Sequence, residues 1–387
     1  MNDLTISDAI RSIGAYDRTL DLFESQHPVP DGISYNSHVI LDDKCAVMDT
    51  VDARETDQWL ENLRRELAGR APDYLVVHHM EPDHAANIAL LAGLYPKMRV
   101  VATAKAHALI GQFFDMDLGD RALAVGDGDS LPLGKHALEF FTAAMVHWPE
   151  VMVSYEHTEK VLFSADAFGK FGPPDFSDMW VDEARRYYFN IVGKYGGPVQ
   201  HLLKKAAALD IRMISPLHGP VLRENLPFYI GKYDVWSGYR PEDRGVLVAW
   251  ASMHAHTAAA ARRFAQMLRQ RGVENVVEMD LSRTRVSEAV ASAFRYDRMA
   301  AFAASYDAGL FPPMEEFLLH LKAKAYQRRS VAVVENGSWA PAAGKVMRAL
   351  LSEMKDIEIL EPMVTIRSSM KPQTEIELEG LADRLSK

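Results

Sequence analysis

Residues 245–387 alternate regularly between short apolar runs and amphipathic segments, and this alternation constrains the fold more than any other feature of the chain. The apolar runs predict five strands, at 246–250, 275–279, 299–304, 330–335 and 357–360. The segments that follow them predict five helices, at 257–271, 283–294, 313–325, 341–354 and 374–386. Strands that alternate with helices in this way form a doubly wound parallel α/β sheet, which binds ligands beyond the carboxyl ends of its strands.

The first 240 residues mix strands and helices less regularly. Alternating apolar residues at 38–50 predict a hairpin, which a helix at 55–68 and a strand at 74–77 follow. Further strands are predicted near 98–102, 138–142, 150–155, 160–163 and 212–215, and further helices at 85–95, 104–114 and 181–208, the last broken near Gly196–Pro198. This pattern fits two mixed sheets with helices outside. A polar, turn-rich stretch at 233–244 follows, so we expect domains at 1–240 and 245–387.

The composition is typical of a soluble globular protein, with 48% hydrophobic and 25% charged residues. The formal net charge of −10 argues against binding to nucleic acid phosphates. Cys45 is the single cysteine, which excludes an internal disulfide and a metal site built from several thiolates. No signal-peptide pattern is evident, and no apolar run approaches the ~18–20 residues that span a bilayer. We therefore expect a cytoplasmic protein that binds neither membranes nor nucleic acid.

Four potential metal ligands fall within six residues of the segment VVHHMEPDHAAN at 76–87. His79, Glu81, Asp83 and His84 follow a predicted strand, and such side chains are costly to bury unless they are paired or bind a metal. For Asp83 or His84 taken singly, capping of the helix that is predicted to begin at Ala85 is a serious alternative.

Three further candidates, His147, Asp166 and His218, each follow a strand-like run. Because the ends of neighbouring strands lie along one edge of a sheet, all seven residues could converge. Four imidazoles and three carboxylates suit two divalent metal ions with one carboxylate as a bridge. Nitrogen and oxygen donors without thiolate favour iron or manganese over a structural zinc site.

This pattern resembles the ligand pattern of the flavodiiron proteins, or A-type flavoproteins. H-x-E-x-D-H at 79–84 is followed by HWPE at 147–150, LFSADAFG at 162–169 and RRYYFNI at 185–191, and the resemblance covers nearly the whole chain. It implies a metallo-β-lactamase-like αββα sandwich with a diiron site, followed by a flavodoxin-like FMN domain, without a fused rubredoxin module. Hydrolases of the first fold typically carry H-x-H-x-D-H and zinc. Glu81 replaces their second imidazole with a harder, anionic ligand that suits iron in a redox cycle.

The resemblance also implies a role for each candidate. His79, Glu81 and His147 would hold one iron ion, Asp83, His84 and His218 the other, and Asp166 would bridge them. One of the adjacent Tyr187 and Tyr188 would lie near the two iron ions, and we take Tyr188 as the candidate catalytic residue that donates a proton or hydrogen bond. Core packing is the alternative for both tyrosines.

Three loops at predicted strand ends are candidates for a cofactor site. ASMHAHT at 251–257 leads into a helix, where backbone N–H groups can bind phosphate, although an ordinary strand–helix turn has the same pattern. SYDAGLFPP at 305–313 and ENGSWAPAAG at 335–344 each carry an aromatic residue, as sandwiching a flavin ring would require; part-buried aromatics in surface turns are the alternative.

The family resemblance implies that these loops bind FMN. Two departures from the family pattern are Ala255, where a glycine is usual, and the histidines on either side of it. The predicted FMN-binding residues are Ser252, Met253, His254, Ala255, His256, Thr257, Ser305, Tyr306, Asp307, Ala308, Gly309, Asn336, Gly337, Ser338 and Trp339.

The resemblance implies an oxidoreductase that passes electrons from FMN to two iron ions and reduces O2 to water, NO to N2O, or both. A separate electron donor, such as rubredoxin or a reduced deazaflavin, is expected, as is a head-to-tail homodimer or a dimer of such dimers. The alternative is a zinc- or iron-dependent hydrolase of the metallo-β-lactamase fold whose flavodoxin-like module has lost its flavin.

Overall fold

The computed structural model describes residues 4–176 and 180–387, and the chain forms two compact units. The first comprises Met1–Tyr188 and Gly197–Asp234, and the second comprises Phe189–Gly196 and Val235–Lys387. The division after Asp234 falls within the polar stretch at 233–244, before the predicted domain limits at 240 and 245. A short segment from the middle of the chain also belongs to the second unit, which no sequence pattern suggests.

Two sheets form the frame of the first unit. The six-stranded sheet contains, in spatial order, Ile10–Ser12, His38–Leu41, Cys45–Met48, Tyr74–Val76, Arg99–Ala102 and Ala122–Ala124. The five-stranded sheet contains Ser130–Pro132, Ala137–Thr142, Met152–Glu156, Val161–Phe163 and Met213–Ser215. Both sheets mix parallel and antiparallel pairs, and apolar side chains from both, such as Ile40 and Phe140, share one core. The predicted pair of mixed sheets and the hairpin at 38–50 are confirmed.

Two short antiparallel ladders are formed within residues 15–35. Ala15–Asp17 pairs with Ile33–Tyr35, and Leu22–Phe23 pairs with His27–Pro28. The α-helices described up to residue 237 are Thr56–Leu67, Pro82–Ala85, Ile88–Leu94, Ala104–Phe113, Trp180–Tyr187, Gly196–Ala206 and Leu226–Ser237.

Two helical predictions differ from the structure. The helix predicted over 181–208 is interrupted at Tyr188–Val192, which is a π-helical turn, and at Gly193–Tyr195, which is a 3-10 turn. The α-helix resumes at Gly196, before the predicted break, because a proline such as Pro198 is tolerated in a first helical turn. The stretch at 233–244 begins inside the helix Leu226–Ser237, where Tyr233 and Trp236 bury an apolar face that their polar neighbours conceal in the sequence.

The second unit contains one largely parallel sheet. Its main strands, in spatial order, are Val276–Asp280, Asp243–Ala251, Tyr296–Tyr306, Arg329–Asn336 and Ile357–Ile359. Val364–Ile366 also pairs in parallel with Arg329–Asn336, and Gly309–Leu310 forms a hairpin with Tyr296–Tyr306. In order of appearance the main strands are arranged 2-1-3-4-5, which is the flavodoxin-like order. The predicted doubly wound sheet is therefore confirmed.

Five helices connect or follow these strands, close to the predicted positions: His256–Gln270, Val286–Arg295, Pro312–Ala323, Ala343–Ser352 and Pro372–Leu385. Their apolar faces bury the sheet, as Phe264 and Leu381 do beside Val248 and Val334 in one core cluster. Within residues 4–176 and 180–387, every helix is too short or too polar to traverse a bilayer.

Candidate metal centre and cofactor cavity

Four of the predicted metal ligands follow the strand Tyr74–Val76, as the sequence indicates. His79 and Glu81 lie in the loop after it, and Asp83 and His84 lie in the helical turn Pro82–Ala85. Proline at the first helical position suits the start of this turn because its missing N–H would have no partner there. Thr50 fixes the turn from the neighbouring chain segment, since its N–H and hydroxyl both donate to the carbonyl of His84, at 2.9 and 2.7 Å.

The first group of potential ligands contains His79, Glu81, His147 and Asp166, whose ligand atoms all lie within 4.8 Å of one another. Nε2 of His79 and of His147 lie 3.3 and 3.0 Å from Oε2 of Glu81. The same two nitrogens lie 3.3 and 3.2 Å from Oδ2 of Asp166. Two imidazoles and two carboxylates therefore face a common point.

The second group contains Asp83, His84 and His218, again with ligand atoms within 4.8 Å of one another. Nε2 of His84 and of His218 lie 3.4 and 3.3 Å from Oδ2 of Asp83. They lie 3.4 and 3.7 Å from Oδ1 of Asp166, the oxygen that is turned away from the first group. The structure thus brings all seven predicted residues together, with Asp166 between the two groups.

Hydrogen bonding within the cluster is incomplete in a way that fits cations. Both carboxylate oxygens of Asp83 and of Asp166 are buried, and neither pair has a hydrogen-bond partner among the described residues. Buried polar atoms are normally satisfied, and a group that lacks partners requires an explanation such as a bound ion. Nitrogen and oxygen donors grouped around a shared carboxylate suit two divalent cations.

The charged side chains of the cluster shift one another's pKa values. Burial alone would lower the pKa of His147, but Asp166 and Glu81 outweigh burial and raise this pKa to about 9. Burial likewise opposes the ionised form of Asp166, yet the neighbouring imidazoles, first among them His79, hold its pKa well below the usual range. Without cations the cluster is held together by ion pairs, so cation binding must release protons from imidazoles.

Side chains behind the ligands fix their orientation. Nδ1 of His79 donates to Oε1 of Glu150 at 2.8 Å, and Nδ1 of His218 donates to the carbonyl of Ser34 at 2.7 Å. These bonds place the proton on Nδ1 and leave Nε2 to face the cluster. Glu150 was not among the predicted site residues, although it ends the HWPE motif that begins with His147.

A different neighbour, His78, points away from the cluster. Its ring donates from Nδ1 to Oδ2 of Asp49 at 2.6 Å, and the hydroxyl of Ser154 contacts Nε2 at 2.7 Å. Asp49 also accepts the backbone N–H of His78 through Oδ1 at 2.7 Å. His78 therefore anchors the start of the ligand loop from within the core.

The structure places Tyr187 beside the cluster. The Tyr187 ring lies 5.5 Å from the His218 ring, and its buried hydroxyl has no hydrogen-bond partner among the described residues. Burial, reinforced by the charges of the cluster carboxylates, raises the pKa of Tyr187 well above its usual range. Tyr188 packs against Tyr233, with ring centroids 5.1 Å apart. The π-helical turn that begins at Tyr188 changes the helical register at this point, which a sequence pattern does not reveal.

The second unit contains a cavity of about 480 Å³ at the carboxyl ends of its strands. Sites for small molecules and cofactors typically enclose ~300–1,000 Å³. The three predicted loops line this cavity, and Tyr306 and Trp339 are both exposed there, the latter by 89%. Ala255 and Gly309 were predicted to bind the cofactor but do not line the cavity, whereas Ala304, Ala340 and Ser368 line it and were not predicted.

Hydrogen bonds connect the loops around this cavity. Nδ2 of Asn336 donates to Oγ1 of Thr257 at 3.2 Å and to the carbonyl of Ser368 at 3.0 Å. The hydroxyl of Ser305 accepts the N–H of Ala342 at 2.8 Å. Three strand ends and the segment after Val364–Ile366 are thereby held in one arrangement. Ser368 could not be identified beforehand because the strand that delivers it is only three residues long.

Ala255 shapes the first loop through its backbone. Its φ of 65° lies in the left-handed region and immediately precedes the helix His256–Gln270. A residue with a Cβ atom is strained in this conformation by roughly 1–2 kcal/mol, whereas glycine is not. The loop thus retains the conformation that glycine would favour, with alanine in its place.

Comparisons with known proteins agree with both halves of the chain. Residues 33–219 match a family model described as ODP family beta lactamase. The anaerobic nitric oxide reductase flavorubredoxin of Vibrio vulnificus is 26% identical over 91% of this chain and 72% of that protein. The putative diflavin flavoprotein A 1 of Thermosynechococcus vestitus is 26% identical over 95% of this chain and 64% of that protein.

Solved structures match almost the whole chain. Rubredoxin oxygen:oxidoreductase from Desulfovibrio gigas superimposes with a TM-score of 0.92 and 25% identity, covering 98% of this chain and 97% of that one. The flavodiiron protein from Giardia intestinalis has the same fold, with a TM-score of 0.90 at 21% identity over 98% of this chain and 95% of that one. Fold and site together define a metallo-β-lactamase-like domain with two adjoining groups of potential metal ligands, followed by a flavodoxin-like domain. Over almost its whole length the chain is similar to flavodiiron proteins, in sequence and in fold.

Proposed function

We propose that this chain is an oxidoreductase that reduces O2 to water, NO to N2O, or both, with electrons passed from FMN to two iron ions. The observation that carries the proposal is the convergence of seven histidine and carboxylate side chains around Asp166. The cavity in the flavodoxin-like unit supports it, as do the relatives whose names describe oxygen and nitric oxide reduction.

The residues present fit two iron ions. His79, Glu81 and His147 would hold one ion, Asp83, His84 and His218 the other, and Asp166 would bridge them. When bound, the iron ions supply electrons and open coordination positions for a small substrate, and FMN supplies the electrons that restore them. Glu81 contributes an anionic oxygen at a position where the related zinc hydrolases use an imidazole, and such a ligand favours the more oxidised ion.

Aromatic side chains pack against the histidines of this cluster. The ring of Phe23 lies 5.4 Å from the ring of His218, and the ring of Trp148 lies 5.3 Å from the ring of His79. The Tyr187 ring lies 5.5 Å from the His218 ring and its hydroxyl is buried, so it can donate a proton or hydrogen bond, and both proposed reductions consume protons. We therefore assign the proton-donating role to Tyr187 instead of Tyr188.

The cavity of the second unit has the features that FMN requires. Ser252 and Thr257 lie where a strand leads into the fifteen-residue helix His256–Gln270, so their hydroxyls and nearby N–H groups can bind the phosphate. Tyr306 and Trp339, exposed on two other loops, are positioned to flank the flavin ring.

The proposal extends to partners that the chain itself does not contain. A separate small donor, such as rubredoxin or a reduced deazaflavin, would supply electrons, since the single cysteine excludes a rubredoxin centre within these 387 residues. A head-to-tail homodimer, or a dimer of such dimers, would bring the flavin of one chain to the iron ions of another. We place the protein in the cytoplasm.

The decisive experiment measures cofactors and gas consumption on the same preparation. We expect about two iron ions and one FMN per chain, and consumption of O2 or NO in anaerobic assays with a chemically reduced donor. A colourless, zinc-loaded protein that hydrolyses esters and consumes neither gas would overturn the proposal in favour of the hydrolase.

A further inference from the structure

The two halves of the metal cluster differ in what stands behind their histidines. On one side, Nδ1 of His79 donates to the carboxylate of Glu150 at 2.8 Å, and the same oxygen accepts the N–H of Met80 at 2.9 Å. On the other side, Nδ1 of His218 donates to a neutral backbone carbonyl, that of Ser34. A carboxylate partner makes an imidazole a more basic ligand than a carbonyl partner does.

The burial of the Glu150 carboxylate costs free energy. Its side chain is fully buried, and its second oxygen, Oε2, is buried without a hydrogen-bond partner among the described residues. A half-satisfied buried carboxylate destabilises a fold unless its charge is compensated. His79 is the compensating group, and a cation at Nε2 of His79 would extend that compensation.

The two cation positions also differ in the number of carboxylates around them. Glu81 and Glu150 both act on the position that His79 and His147 form, whereas Asp83 is the corresponding carboxylate at the position of His84 and His218. Asp166 is common to both positions. Among the carboxylates that contact the imidazoles, the position of His79 and His147 therefore has one more than the position of His84 and His218.

We propose that Glu150 is a positioning residue that makes the two cation positions unequal. It orients His79, raises the basicity of Nε2, and adds negative charge behind it. The position of His79, Glu81 and His147 then binds a divalent cation first and more tightly, and it favours the more oxidised ion. The inference rests on the proposed two-metal function and specifies which of the two positions is dominant.

The test uses Co²⁺ as the probe with the full-length, metal-free protein under anaerobic conditions. His218→Ala removes a ligand from the position of Asp83 and His84, and His147→Ala removes one from the position of His79 and Glu81. Each variant therefore reports mainly on the position that it retains. We expect the His218→Ala protein to bind Co²⁺ more tightly than the His147→Ala protein. This comparison leaves Glu150 in place and therefore does not depend on whether a change at 150 folds.

Glu150→Gln is then added to each background. Glutamine retains an oxygen that can accept from His79 and Met80, but it removes the charge. Loss of such an outer partner typically weakens metal binding by about 10–100-fold. We expect a loss of this size in the His218→Ala background and almost none in the His147→Ala background. In the iron-loaded chain, Glu150→Gln should also raise the first midpoint potential.

The chain offers a matched control in Glu156. This carboxylate is also fully buried, and it likewise contacts Nδ1 of a histidine, His136, at 3.0 Å and accepts a backbone N–H, that of Thr158, at 2.9 Å. Glu156→Gln should therefore affect stability in a similar way while leaving both Co²⁺ affinities unchanged.

The outcomes separate this inference from the proposed function. If the wild-type chain bound fewer than two cations, both would fail. If it bound two with equal affinity, or if Glu150→Gln weakened both positions equally, the inequality would be refuted and the two-metal function would stand. If Glu156→Gln reproduced the effect, the role of Glu150 would be one of general stability, and the inference would again be wrong.

Discussion

Oδ2 of Asp166 lies 3.2 Å from Nε2 of His147, and this contact is one half of a bridge whose other oxygen faces His84 and His218. Two cations a few ångströms apart repel each other strongly unless an anion lies between them. We therefore expect Asp166→Ala to lose most of the bound metal and almost all reductase activity.

Metal analysis of purified protein checks this prediction. Asp210→Ala is a suitable control, because Asp210 is an exposed acid that pairs with Lys160 at the surface. That variant should retain its full metal content. An Asp166→Ala protein with undiminished iron and turnover would show that the ligand assignment is wrong.

The adjacent tyrosines form a matched pair for testing proton delivery. Tyr187→Phe removes a buried hydroxyl beside His218 without changing the ring packing, whereas Tyr188→Phe removes one that lies beside Tyr233. General acids typically contribute ~10²–10⁴-fold to a rate. We expect Tyr187→Phe to lower turnover at saturating substrate while leaving iron and FMN contents intact, and Tyr188→Phe to have a much smaller effect. A larger loss at Tyr188 would restore the sequence-based assignment.

The sequence predicts the ligand cluster well because the motif H-x-E-x-D-H concentrates four rare groups in six residues that follow a strand. It predicts the second unit equally well, since parallel strands and their helices alternate with clear periodicity. Glu150 was missed because a single glutamate carries no periodic signal, and its role depends on a contact with His79, 71 residues away in sequence. The choice between Tyr187 and Tyr188 depends on a π-helical turn, which no pattern of residue types reveals.

Ala255 provides a test of the cofactor loop. Ala255→Gly should relieve the left-handed strain at φ 65° and stabilise the second unit by about 1 kcal/mol, with FMN binding unchanged or tighter. Fluorescence titration with FMN and thermal unfolding measure the two effects. The control is Ala259→Gly on the exposed face of the same helix, which should destabilise the unit by about 1 kcal/mol. A marked loss of FMN affinity in Ala255→Gly would show that the loop binds the phosphate differently.

The buried His38 should make the stability of the first unit depend on pH. Burial lowers its pKa to about 4, although its Nε2 donates to the carbonyl of Leu4 at 3.0 Å and this bond favours the charged form. In the unfolded chain His38 takes up a proton near pH 6.5, whereas in the folded chain it stays neutral down to about pH 4. The free energy of unfolding therefore has its full value, as far as His38 is concerned, above pH 6.5. As the pH falls from about 6.5 to 4, the free energy of unfolding decreases by roughly 3 kcal/mol.

Urea unfolding across this pH range measures the effect. His38→Gln retains a side-chain donor for Leu4 but cannot titrate, so its midpoint should fall less steeply with decreasing pH than that of the wild type. His157→Gln alters an exposed histidine that pairs with Glu139 and should reproduce the wild-type slope. Parallel curves for wild type and His38→Gln would contradict the prediction.

The proposed head-to-tail dimer can be tested by complementation between two inactive chains. Asp166→Ala removes the bridge between the cations, and Ser252→Ala combined with Thr257→Ala removes two hydroxyls from the flavin cavity. In a head-to-tail dimer, one of the two composite sites of a mixed dimer contains no substitution, so co-expressed chains should recover part of the wild-type activity. Separately tagged chains, purified through both tags, ensure that only mixed dimers are assayed. Chains that function independently would each retain one lesion, so proven mixed dimers without activity, or a fully active monomer, would refute this arrangement.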